Sequence, residues 1–289
     1  MRLGVHVPIA GGLLEAVTRA QRLGCTTMQI FSRSPRGGPA TPLSPELADR
    51  FDAARRHAGI DPLIVHSPYI INLASPEEAM WKQSLRLYRE EYGRASSLNA
   101  QYLVTHVGSH KGSGPERGIK RVAAALTQTL DGVASSTMIL LENTAGSGQG
   151  LGHQFDELAA MRALTADRSR VGICLDTAHL FAAGHPIHTS EGLEGVLASF
   201  DRVVGLQHLK LVHLNDSKVP FAARVDRHWH IGQGQIGLEP FRRLLAHHAL
   251  RDLPFILETP KTTERDDQRN LATVRSLESG ILKPRVSGR

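Results

Sequence analysis

At 289 residues, with 41% hydrophobic and 21% charged side chains, the chain is long enough for one large domain with a well-buried core. No run approaches the ~20 apolar residues of a membrane span, and the first ten residues lead into a strand pattern with no signal-peptide stretch. A net charge of +6 with a pI near 9.6 suits a polyanionic partner, although charge alone does not separate that from a basic protein without one.

In chain order, short apolar runs alternate with amphipathic stretches. A strand at 3–7 precedes a helix at 12–23. A strand at 27–31 leads through a Pro/Gly-rich, basic loop at 32–44 to a helix at 45–57. LIVH (63–66) precedes a helix at 76–98, and YLVTH (102–106) a loop GSHKGSGP and a helix at 116–132. MILLE (138–142) is followed by AGSGQGLG and a helix at 154–164. VGICLD (171–176) precedes a helix at 191–200, a strand at 209–215 and a long loop at 216–237. A helix at 238–246, FILE (255–258) and a helix at 266–277 complete the pattern. Eight alternations with helical crossovers predict an α/β fold, a single-domain (β/α)8 TIM barrel over residues 1–282. A doubly wound open sheet is the alternative, but it seldom gathers six strand ends around one centre. Residues 283–289 read as a basic, disordered tail.

Six of these runs end on a side chain able to bind metal: His66, His106, Glu142, Asp176, His213 and Glu258. Parallel strands share one C-terminal face, so the six lie on one rim, which is the catalytic face of a barrel. A single histidine in a strand is usually a hydrogen-bonded core residue, and a single strand-end carboxylate usually caps a helix. Six together, with no Lys or Arg alternating among them, are not explained that way, because buried carboxylates need cations. Rim loops add His179, from DTAH, and the Asp226/His228 pair, from DRH. Five imidazoles and four carboxylates exceed the needs of one zinc and suit three ions, some carboxylates bridging. Three divalent cations outweigh four carboxylates, so the centre would attract an anion such as a phosphodiester. His6 and His110 face the same rim without being expected ligands. Cys25 and Cys174 show no paired spacing and read as reduced thiols, consistent with a cytoplasmic protein.

The chain resembles the endonuclease IV family, the zinc-dependent apurinic/apyrimidinic endonucleases of base-excision repair, from GVHVPIAGG (4–12) to LETP (257–260). The most specific stretches are HSPYIINL (66–73), LENTAGSG (141–148), GICLDTAHLFAAG (172–184), HLNDSK (213–218) and RVDRHWHIGQGQIG (224–237). The resemblance implies one zinc on His66, His106 and Glu142. A second falls to Glu142, Asp176, His213 and Glu258, with Glu142 bridging, and a third to His179, Asp226 and His228. It also implies hydrolysis 5′ to abasic sites in duplex DNA, leaving a 3′-hydroxyl and a 5′-deoxyribose phosphate, with Glu258 holding or deprotonating the attacking water. Manganese can occupy part of such a site. Arg36 and Tyr69 match residues that enter the duplex, but Gly37, Gly38 and Pro39 stand where the family has bulky residues. Gln233 stands where the family often has an acidic residue, and His185-Pro186 replace a Tyr-Asp pair.

Arg33, Arg36, Lys111, Lys218, Arg224 and Arg227 fall in rim loops, where they could meet phosphates. Aromatic content of 5% favours a duplex with one lesion flipped into the pocket over a stacked single strand. A sugar isomerase or epimerase would need only Glu142, Asp176, His213 and Glu258, leaving five ligand candidates surplus. A basic barrel that binds DNA without cutting it has no use for an intact ligand set. No oligomer signal is present, and a monomer is expected.

Overall fold

The computed structural model describes residues 1–36, 40–263 and 265–282. The expected tail at 283–289 and the 37–39 stretch of the basic loop lie outside these residues. Eight parallel strands form one sheet: β1 (Arg2–Val5), β2 (Met28–Phe31), β3 (Leu63–His66), β4 (Tyr102–His106), β5 (Met138–Glu142), β6 (Val171–Asp176), β7 (Leu209–His213) and β10 (Pro254–Leu257). The order β1-β10-β7-β6-β5-β4-β3-β2 runs once round a ring. A His6–Gln29 bridge joins its two ends, with Val7 N donating to Gln29 O at 2.7 Å and Thr26 N to Leu3 O at 3.0 Å. The sheet is the barrel the alternation predicts.

The crossover helices are α1 (Leu13–Arg22), α2 (Pro45–His57), α3 (Glu78–Ser97), α4 (Pro115–Leu130), α5 (Phe155–Leu164), α7 (Ser190–Val203), α8 (Leu238–Ala246) and α9 (Asp266–Leu282). Each buries a stripe against the sheet; on α1 it is Leu13, Ala16, Val17 and Ala20, the spacing of one helical face. Start signals are local. Ser44 Oγ accepts from Leu47 N at 3.2 Å with Pro45 in the first turn of α2, and Thr189 Oγ1 accepts from Gly192 N at 3.0 Å at the start of α7.

Several short elements among the described residues go beyond the predicted set. A seven-residue helix, α6 (Thr177–Ala183), follows β6 directly, capped by Asp176 Oδ1 accepting from His179 N at 2.8 Å. A two-residue hairpin, β8 (Asp216–Ser217) with β9 (His228–Trp229), lies within the long rim loop.

The barrel interior explains how the site is positioned. Ile64, Val104, Leu140, Cys174, Leu211 and Ile256 form a separate apolar cluster inside the ring. Side chains on a strand alternate faces, so the residue two positions on points to the same side. Two positions on from these six are His66, His106, Glu142, Asp176, His213 and Glu258. The ligand candidates are therefore the next interior layer above a buried apolar floor, at the C-terminal mouth.

Candidate metal centre

Strand register brings the side chains together in pairs. His106 pairs with Glu142 across β4–β5 and Asp176 with His213 across β6–β7. Glu142 is the hub. Its Oε2 lies 3.3 Å from His66 Nε2 and 3.0 Å from His106 Nε2, while its Oε1 lies 2.9 Å from His213 Nδ1 and 3.5 Å from His179 Nδ1. Glu258, one residue past β10, reaches His213 Nδ1 with Oε2 at 3.1 Å.

Potential donor atoms fall into three close groups: His66, His106 and Glu142; Glu142, Asp176, His213 and Glu258; and Asp176, His179 and His228. Glu142 and Asp176 are each shared by two groups. Asp226 stands outside the third tight group but within reach of it, 3.2 Å from His179 Nε2 and 3.4 Å from His228 Nε2. All nine candidates thus gather at one mouth, with Asp176 linking the second group to the third.

The electrostatics show what charge this centre calls for. Burial by itself would raise the Glu142 carboxyl, but His106 and His213 outweigh it and hold it well below the usual range. Glu258 is likewise raised by burial and lowered further by His213. Burial would lower His179, yet Asp176 and Asp226 push it up to about 10, and Asp226 is held down at about 2. Against burial, His213 is raised well above its usual value by Cys174 and then by Glu258 and Glu142, and His106 is raised by Glu142. Buried carboxylates are drawing protons onto buried imidazoles to obtain positive charge. Divalent cations would supply that charge and release the protons, so the donor set fits metal.

The outward nitrogens are already fixed. His66 Nδ1 contacts Ser67 O at 2.7 Å, His179 Nδ1 contacts Asn143 O at 2.8 Å, and His228 Nδ1 contacts Glu258 O at 3.1 Å. A carbonyl only accepts, so each Nδ1 carries a hydrogen and each Nε2 is left as the donor atom. Carboxylates are braced too, Asn215 Nδ2 donating to Asp176 Oδ2 at 2.7 Å. Asn143, Asn215 and Gln29 were not anticipated from the sequence. Their signal is a neutral amide inside or just beyond an apolar strand run, as in MQIF.

The centre can be set against known proteins. A family model described as a xylose isomerase-like TIM barrel matches residues 17–279. A Chloroflexus aurantiacus protein named "Probable endonuclease 4" is 45% identical over 96% of this chain and 99% of its own length. Its namesake in Halothermothrix orenii is 43% identical over 92% of this chain and 96% of its own. The crystal structure of endonuclease IV from Thermus thermophilus superposes with a TM-score of 0.85, at 39% identity, covering 97% of this chain and 100% of that one. The chain belongs to the endonuclease IV family. As a family member it is an enzyme of the nuclease class, a hydrolase. A D-tagatose 3-epimerase-like protein at 20% identity and a TM-score of 0.70 shares the fold.

Around the centre of this endonuclease IV family member, Arg36, Lys218, Arg224 and Arg227 are exposed on the rim, and Tyr69 is 65% exposed. Tyr69 packs edge-on against Phe31, 5.4 Å between ring centroids, and lies 5.9 Å from the His66 ring. Lys218 Nζ sits 4.2 Å over the Trp229 ring. Arg33 is a correction: the basic loop puts it among phosphate contacts, but it is buried and paired with Glu90 and Glu91 of α3. Its charge is already neutralised inside the protein. His6 lines a cavity of about 380 Å³ beside Glu258, together with Phe31, Tyr69 and Lys261. Among the described residues no helix is long and apolar enough to cross a membrane.

Proposed function

We propose that this protein is a DNA-repair endonuclease that hydrolyses the phosphodiester 5′ to abasic sites in duplex DNA, leaving a 3′-hydroxyl and a 5′-deoxyribose phosphate. The observation that carries the reading is the set of nine donors in connected groups sharing Glu142 and Asp176 at one barrel mouth. A sugar-converting barrel would use only four of the nine. The relatives' shared name, endonuclease 4, supports the same reaction class.

His66, His106 and Glu142 would hold one zinc, Glu142, Asp176, His213 and Glu258 a second, and His179, Asp226 and His228 a third. Manganese would be tolerated in part. When bound, the ions supply Lewis-acid charge and hydroxide at neutral pH. Glu258 is held by its Oε1 and offers Oε2 toward the cluster, the arrangement of a group that takes a proton from water. Glu142, with both oxygens facing imidazoles, bridges two groups. Arg36, Lys218, Arg224 and Arg227 would neutralise backbone phosphates, with Tyr69 entering the duplex at the lesion.

The deciding experiment is incubation with an oligonucleotide duplex holding one abasic analogue, with metal analysis of the protein used. Incision immediately 5′ to the analogue, abolished by a chelator and restored by zinc, is expected. About one metal per chain with no incision would return the assignment to the sugar-converting barrels.

A further inference from the structure

One side chain that is not a ligand touches two that are. Gln29, fully buried on β2, reaches both His213 and Glu258 with its amide head. Its Oε1 is 2.8 Å from His213 Nε2, and its Nε2 is 2.6 Å from Glu258 Oε1 and 2.9 Å from His6 Nδ1. We infer that Gln29 is a positioning residue of the metal centre, one amide fixing both the ligating nitrogen of His213 and the free oxygen of Glu258.

The orientation of the amide is decided by its partners. Reversed, it would set its oxygen against the Glu258 carboxylate at 2.6 Å and leave no acceptor for His213. In the observed orientation Oε1 can only accept, so His213 Nε2 keeps its hydrogen. His213 Nδ1 is then the nitrogen able to give up a proton and face a cation, and it is the one directed at Glu142 and Glu258. The first amide hydrogen occupies Glu258 Oε1, leaving Oε2 for the cluster. The second reaches His6 Nδ1, so the His6 hydrogen sits on Nε2, which is buried beside the cavity with no hydrogen-bond partner among the described residues. Every hydrogen-bonding group of the Gln29 amide head is thereby used. The position makes this possible: β2 lies next to β1, and β10 and β7 follow β1 along the same arc of the ring.

This inference rests on the proposed metal-dependent hydrolysis, and its test is separable from it. Gln29→Leu keeps the volume and removes all three contacts. Gln29→Glu keeps an acceptor for His213 but sets a negative oxygen against Glu258. Three measurements apply to zinc-loaded wild type and both variants: chelator competition, long-range ¹H–¹⁵N correlation of the His213 ring, and incision of the abasic duplex. Q29L is expected to hold zinc roughly 10–100-fold more weakly and to lose the single His213 tautomer by letting zinc bind either ring nitrogen. Q29E is expected to keep that tautomer while turnover falls on the order of 10-fold or more. Zinc affinity within about twofold of wild type together with an unchanged His213 pattern in Q29L would overturn the inference. Should Q29L not fold, Q29E decides it alone, wild-type turnover being the refuting result, or wild-type zinc affinity if there is no incision to compare. If wild type does not incise the duplex, the proposed function fails, while zinc affinity and the His213 pattern still judge Gln29.

Discussion

His106 and Glu142 face each other in register across β4 and β5, Nε2 to Oε2 at 3.0 Å, and the same carboxylate reaches His213 through its other oxygen. One side chain therefore couples two donor groups. Replacing it by an amide of the same shape should disable both. Glu142→Gln is expected to reduce bound metal at more than one position and to lower incision by more than the roughly 10–100-fold typical of losing an outer partner. Metal analysis beside turnover checks this; loss of a single equivalent with the remainder intact would show that Glu142 does not bridge.

The His179–Asp226 pair sets a pH dependence for the metal-free protein. His179 is raised to about 10, so its stabilisation is fully present below the unfolded histidine value of roughly 6.5 and is lost as pH climbs toward 10. Asp226 is lowered to about 2, so its contribution is present above roughly 3.9 and disappears as pH falls toward 2. Asp226 is 48% exposed, which limits the size of its part. Metal-free protein should thus lose stability between pH 7 and 10, while zinc affinity should rise over the same interval because each proton displaced favours the metal. Denaturant melts of chelated protein and zinc titrations in buffers of different ionisation enthalpy would test both halves.

Asp216 organises the loop that carries Asp226 and His228. Its Oδ1 accepts from Ser217 N at 2.8 Å and Ile236 N at 3.0 Å, and its Oδ2 from Gly232 N at 2.9 Å and Gly234 N at 3.0 Å. A Cβ at Gly234 would come within 2.5 Å of Asp216 Oδ1, which requires glycine at that point. Asp216→Ala strands several buried N–H groups and should cost at least about 3 kcal/mol at roughly 1–3 kcal/mol per unpaired group. Loss of protection at 232–236 in hydrogen exchange, with preferential release of the metal nearest His228, is the expected result. Unchanged exchange there would mean that the loop is held some other way.

The sequence announced the six strand-end donors because a barrel converts strand ends into a single rim, so a ligand-capable residue closing each run has only one place to go. Asp226 and His228 were legible only as a short DRH motif; the hairpin that aims them depends on Asp216, ten residues earlier, and has no strand pattern of its own. Helix α6 escaped because Thr177–Phe181 and Ala182 are all buried, which erases the polar face that makes helical periodicity visible. Arg33 reads as a rim cation because its partners lie 57 and 58 positions away on α3, beyond any local pattern. Gln29 carries no metal-binding chemistry, so only its contacts reveal it.

A substitution at Tyr69 would separate the proposed DNA recognition from the metal chemistry. Its ring is exposed at the mouth and braced by Phe31, yet it belongs to none of the donor groups. Residues 37–39 supply two glycines and a proline, so that loop offers little apolar bulk to press against a base pair. On the proposed reading, contact with an unstacked base would fall on Tyr69 and the neighbouring exposed Ile70. Tyr69→Ala should weaken binding to abasic duplex by about 10-fold or more, since one base–aromatic stack is worth roughly 1–3 kcal/mol. Tyr69→Phe should bind nearly as wild type, because the ring and not the hydroxyl makes the contact. Neither variant should alter metal content. Equal affinity of Tyr69→Ala and wild type for abasic duplex, measured with a chelated enzyme so that no cleavage intervenes, would remove Tyr69 from the recognition surface.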